Sequence, residues 1–156
     1  MDCRERLEQV LRENGVAFQV MGHDSAYTMP EVAAALHVSG KQVAKVVMVA
    51  TGDDLAMVVV RSSDRVDLKK LRTALGKADI RLAEEHEFAP RFPDSLTGAQ
   101  PPFGNLYDVP VYVDQVLAEQ QQIIFRTGTY RQTMSIAYAN FERLVQPTVG
   151  DFALRV

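Results

Sequence analysis

From Asp2 to Gly15 the apolar positions recur at helical spacing. Leu7, Val10 and Leu11 follow a residue able to cap the first turn, and Asn14-Gly15 supplies a stop. The spacing predicts a helix there, then a short strand over Val16–Val20. Thr28-x-x-Glu31 has the spacing of a capping box, with Pro30 tolerated in the first turn. It opens a short helix expected to bury Val32, Ala33, Ala34 and Leu36. The run Val43 to Ala50 is almost wholly apolar and rich in β-branched residues, the pattern of an interior strand. Thr51-Gly52-Asp53-Asp54 turns the chain into a return strand, Leu55–Val60. Asp67 caps a helix with Leu68, Leu71 and Leu75 inward, followed by a short strand at Ile80–Leu82 and a short helix from Ala83 to Phe88. Further on, Val109–Asp114 reads as a strand whose Pro110 places part of it at a sheet edge. One helical turn from Gln115 to Glu119, strands at Gln122–Arg126 and Thr133–Ile136, and a helix over Tyr138–Val145 complete the pattern, with Phe141, Leu144 and Val145 inward.

Between Pro90 and Asn105 neither periodicity holds, yet Phe92, Leu96 and Phe103 give the segment enough apolar surface to pack. At its centre lies Gly98-Ala99-Gln100-Pro101-Pro102-Phe103-Gly104. The prolines stiffen the middle, while the glycines permit unusual φ values and close approach of a ligand to backbone N–H groups. The same features also suit a rigid connection between two elements. Lys45 is the second anomaly, a cation inside a run of valines. It must carry its ammonium to an edge or meet an anionic partner, because an unpaired buried charge is costly. A cleft holding this ammonium and the glycine amides would suit a developing oxyanion or a bound carboxylate.

Strands and helices mix without strict alternation, which argues against a doubly wound parallel sheet. The expected architecture is one α+β domain over residues 1–156, with helices around a mixed, curved, partly barrel-like sheet. At 156 residues, 47% hydrophobic and 24% charged, the composition fits a single globular unit. No stretch approaches a membrane span, no targeting segment is visible, and the lone Cys3 has no partner for a disulfide, so a cytoplasmic protein is expected. Charge is uneven: residues 41–81 hold nine Lys or Arg against five Asp within a chain of net charge −3. Such a local excess can hold an anionic partner without binding nucleic acid indiscriminately, and it equally fits a solvated face.

No nucleophile elbow, zinc-protease helix, phosphate-binding glycine fingerprint or Cys/His cluster occurs. Hydrolysis by this chain would therefore use a positioned water, with no metal, cofactor or covalent nucleophile. His23 and His86 read as surface groups sooner than acid–base groups, and His37, near a helix end, as a C-terminal charge partner or surface residue sooner than a ligand. Asp114 could cap a turn or orient Lys45.

The ordered set Thr28-x-x-Glu31, Val43-Ala44-Lys45, Gly98-x-x-x-Pro102-Phe103-Gly104, Val111-x-Val113-Asp114 and Gly128-Thr129 resembles the YbaK family. These are stand-alone aminoacyl-tRNA deacylases related to the editing domain of bacterial prolyl-tRNA synthetases. The resemblance runs from about residue 23 to 145. It implies hydrolysis of the ester joining a wrongly attached small amino acid to tRNA, most often a tRNA for proline, with prolyl-tRNA synthetase as a possible partner and no membrane or DNA. Lys45 falls on the family's essential lysine, and Gly98 and Pro102 on the Gly-x-x-x-Pro loop against the aminoacyl ester. The implied substrate contacts are Thr28, Val46, Ala99, Gln100, Pro101, Phe103, Gly104, Gly128, Thr129 and Tyr130. Two positions depart from the family. Several members carry Gly-Ser-His or Gly-Ser-Arg where this chain has Gly128-Thr129-Tyr130-Arg131, and a phenol cannot serve as a base near neutral pH. Val46 stands where some alanine-specific members have a polar residue. A catalytically silent module that binds tRNA or a nucleotide is the alternative reading.

Overall fold

A computed structural model describes residues 1–22, 29–36 and 39–155. The Asp2 carboxylate accepts the backbone N–H of Glu5 and starts α1 (Cys3–Glu13), which buries Cys3, Leu7 and Leu11. Val16 donates its N–H to the Leu11 carbonyl at 2.9 Å and is buried against the end of the helix. The strand expected from Val16 therefore begins only at β1 (Gln19–Gly22). Helix α2 (Met29–Ala35) buries Val32 and Ala33, but Ala34 faces solvent instead of the core. Thr28 and the capping box it would form lie outside the described residues, as do His23 and His37.

The apolar run pairs as predicted. Strands β2 (Ala44–Thr51) and β3 (Asp54–Arg61) form an antiparallel hairpin with Lys45 opposite Val60. Next come β4 (Arg65–Val66) and the Asp67-capped helix α3 (Leu68–Leu75), closed by Gly76 at φ 66°. Strand β5 (Arg81–Leu82) and helix α4 (Glu85–Phe88) precede the long loop, which ends in a 3-10 turn at Gly104–Tyr107. Strand β6 (Val111–Asp114) runs parallel to β3 on one side and to β9 (Thr148–Gly150) on the other. It is thus an interior strand, contrary to the edge position that Pro110 predicted. The proline precedes the strand, and its carbonyl accepts the Met57 N–H at 2.9 Å, so the missing N–H costs the ladder nothing.

The five-stranded mixed sheet has the order β5-β2-β3-β6-β9. A second, antiparallel sheet joins β1, β8 (Gln132–Ala137) and β7 (Gln122–Arg126) in the order β1-β8-β7, followed by α5 (Tyr138–Val145). Strand β10 (Ala153–Leu154) pairs with β4. The fold is α+β with a mixed sheet, and the strands do not close into a barrel among the described residues. A parallel bridge from Val43 to Ile124, with the Ile124 N–H donated to the Gln42 carbonyl at 2.9 Å, stitches the two larger sheets together.

Between those sheets lies the main core, which includes Met57, Val59, Val113, Phe103, Phe125 and Phe141. The opposite face of the hairpin is covered in two patches. Helix α3 brings Leu71 over Val49, Val58 and Val60, and α2 brings Met29 and Val32 over Val43 and Ile124. Alternation along β2 puts Lys45 on this same face, between the patches. That is why a lysine can stand in a run of valines. No helix among the described residues is long and apolar enough to cross a membrane.

Candidate functional site

Lys45, at the start of β2, lines a cleft of about 440 Å³ together with Met29, Pro30, Val46, Ser62, Gly98 and Arg126. The half-buried ammonium donates to the backbone carbonyl of Asp64, in the turn that follows β3. That turn is held by a buried ion pair. Arg61 Nε lies 2.6 Å from one Asp64 carboxylate oxygen and Nη2 lies 3.1 Å from the other. Burial pulls the Lys45 pKa below its ordinary value of 10.5; Asp64 opposes the shift and Arg65 adds to it. Val46 packs toward the main core while bordering the cleft.

The long loop reaches the cleft through Gly98, whose φ of 81° favours glycine. Its N–H does not stand open to a ligand, however. It donates to Oε1 of Gln100 at 3.1 Å, and Gln100 is buried. Ala99, Pro101, Pro102 and Phe103 are buried behind it. Phe103 packs its ring against Phe125 and Phe141 at 5.4 and 5.5 Å between centroids, which makes it a core residue and not a cleft wall. Gly104 also differs from expectation. A side chain there would meet the Val109 carbonyl at 2.6 Å and Val111 at 2.9 Å, so this glycine serves close packing away from the cleft.

Gly128 is likewise a packing position. Its φ is 98°, and a Cβ would lie 2.7 Å from Cys3 Cβ. Its N–H and carbonyl bond to Ala99 and Leu96, tying the turn after β7 to the long loop. Thr129 and Tyr130 border a neighbouring depression with Leu96, Arg131 and Gln132. The Tyr130 hydroxyl donates to the Thr97 carbonyl, one residue before Gly98. Its ring covers the Arg126 guanidinium at 5.4 Å.

Arg126 is the residue that sequence reasoning missed. It is 3% exposed, Nε donates to Met29 Sδ at 2.8 Å, and burial lowers its pKa against the influence of Tyr130 and Glu31. Nη1 and Nη2 are buried with no hydrogen-bond partner among the described residues. The available signal was alternation: Ile124 and Arg126 share a face of β7, as Val43 and Lys45 share a face of the chain at β2. Of the expected site residues the fold thus gathers Lys45, Val46 and Gly98, and adds Met29, Pro30, Ser62 and Arg126. His86 is exposed beside Glu84, and Asp114 binds Arg155 and the Phe152 N–H instead of Lys45. No group of three or more His, Cys, Asp or Glu side chains fit to hold a metal ion occurs among the described residues.

This fold has known counterparts. The chain belongs to the aminoacyl-tRNA editing domain family, whose model matches residues 23–144. Among its relatives is the prolyl-tRNA editing protein ProX of Acetoanaerobium sticklandii, 23% identical over 97% of this chain and 96% of that protein. A crystal structure described as a candidate trans-editing enzyme for prolyl-tRNA synthetase superposes with a TM-score of 0.84 at 22% identity, over 99% of this chain and 98% of the other. A second solved structure, of a hypothetical protein, gives 0.85 at 19% identity over 96% and 99%. At these identities the structural likenesses establish the fold.

Proposed function

We propose that this protein is a trans-acting aminoacyl-tRNA deacylase that hydrolyses the ester of a mischarged small amino acid, with tRNA for proline as the expected carrier. The observation that carries this reading is the shared cleft: the Lys45 ammonium and the Gly98 end of the long loop line one opening. The family and the name of the ProX relative support the substrate class. Water adds to the acyl carbon, the carbonyl oxygen becomes an oxyanion, and the ester C–O bond then breaks. The water proton passes to the departing ribose oxygen, leaving a free amino acid and an uncharged tRNA. Because the Gly98 N–H is engaged by Gln100, electrostatic stabilisation falls to the Lys45 cation, held in place by the Asp64 carbonyl. Lys45, Gly98 and Pro102 are the proposed catalytic set. Lys45 acts directly, Gly98 borders the ester, and the stiff Pro101-Pro102 segment buried behind Gly98 holds it there.

Incubation with tRNAs charged with alanine, serine, cysteine and aspartate, followed by measurement of released amino acid, tests the reading. Lys45-dependent release from at least one is the expected result. A folded protein that releases none would overturn it and favour the silent binding module, a reading that the engaged Gly98 amide and the tethered Tyr130 phenol favour on their own.

A further inference from the structure

The deeper of the two cations in the cleft is Arg126, and the deacylase reading gives it no work. It lies two residues beyond Ile124, as Lys45 lies two beyond Val43, and Ile124 and Val43 form the bridge between the sheets. The two cations therefore belong to one face at the floor of one opening. They differ in depth. Lys45 is half-buried, whereas Arg126 is 3% exposed under the Tyr130 ring, its two terminal nitrogens buried. The hydrogen bond it makes among the described residues is to a thioether, a weak acceptor. A phosphodiester, flanked by riboses and strongly hydrated, matches the shallower cation. Only a small projecting group reaches the deeper one. In an aminoacyl ester that group is the amino-acid side chain. An alkyl side chain would seal the guanidinium in the cleft with no carboxylate bonded to its terminal nitrogens, Glu31 acting on it only through space, beside an α-amino group that is itself a base. A carboxylate would accept from the guanidinium fork and offset the local excess of positive charge.

Resting on the deacylase reading for the identity of the ester, we propose that Arg126 is a specificity-determining residue that makes the pocket select acyl groups whose side chain carries a carboxylate, of aspartyl size. The proposal is tested by equilibrium binding of two non-hydrolysable probes, 3′-deoxy-3′-(aspartylamino)adenosine and its alanylamino counterpart, to the whole protein. The aspartyl probe is expected to bind at least tenfold more tightly, a floor well below the discrimination of sites built to bond a polar group of their substrate. Arg126→Met is expected to erase or invert that preference, and Arg126→Lys to retain part of it, with melting curves recorded for both. Equal binding of the two probes to the wild type, tighter alanyl binding, or no binding of either overturns the proposal without any need for a variant. Release assays on aspartyl- and alanyl-tRNA separate the two levels. A preference in binding with no turnover rejects the deacylase reading and keeps the Arg126 assignment. Lys45-dependent turnover without an aspartyl preference does the reverse.

Discussion

The Lys45 ammonium is held by the backbone carbonyl of Asp64, while the carboxylate of the same residue is gripped by Arg61. A backbone acceptor orients the cation without neutralising it, and the guanidinium keeps the nearby carboxylate occupied. The charge that the cleft needs is thereby placed and preserved.

Removing that charge is the first expectation. Lys45→Ala should lower turnover about 10²–10³-fold, the range seen when a donor to a developing oxyanion is lost. The melting temperature should barely move, since a half-buried side chain between two packed patches leaves no core cavity. Parallel activity and thermal-melt measurements decide it.

The pH profile carries a sign. Burial lowers the Lys45 pKa from its ordinary 10.5, with Asp64 opposing and Arg65 assisting, and Arg126 lines the same cleft. Activity that requires the ammonium must fall as pH rises through this lowered value, on the alkaline side and earlier than an ordinary lysine would allow. Lys45→Arg should move the limb to higher pH. Rates corrected for spontaneous ester hydrolysis are the measurement.

Arg61→Ala removes a bidentate guanidinium from a fully buried carboxylate, a change expected to cost about 3–5 kcal/mol. It also frees the turn that supplies the carbonyl to Lys45, so turnover should fall with stability. Urea denaturation read beside the release assay shows whether the two losses coincide.

Tyr130→Phe deletes the hydroxyl that reaches Thr97 but keeps the ring over Arg126. A loss of about 0.5–1.5 kcal/mol in stability is expected. The shape of the pH–rate profile should be unchanged, because the phenol holds the loop and takes no proton. A new or missing limb in the profile would assign it acid–base work.

Phe103→Ala should cost about 3–5 kcal/mol, as for a fully buried aromatic packed on Phe125 and Phe141. The protein that remains folded should keep its substrate preference. Calorimetry with a substrate panel checks both halves.

Local pattern carried the sequence reading a long way. The β2–β3 hairpin was legible because a continuous β-branched run has few other uses, and α1, α3 and α5 because their apolar spacing and termini agree. The short strands β4, β9 and β10 were not anticipated. Each is only two or three residues long and exists through a partner far along the chain, as when Ala153 pairs with Val66. Lys45 stood out because a cation interrupts an apolar run. Arg126 did not, because an arginine at a strand end ordinarily reaches solvent. Its burial comes from Met29, 97 residues earlier, and from the ring of Tyr130.

The order of apolar and polar residues alone determined that this chain forms a mixed α+β unit with a lysine in a valine strand and a proline-stiffened loop. It could not distinguish Gly98 from Gly104, since both flank the same prolines. The tertiary structure decided that the first borders the cleft while the second is wedged against Val109 and Val111. It also decided that the cleft contains a second, deeper cation. Periodicity records which face of an element is apolar, but a pocket is made where faces of distant elements meet, and that meeting is set by packing.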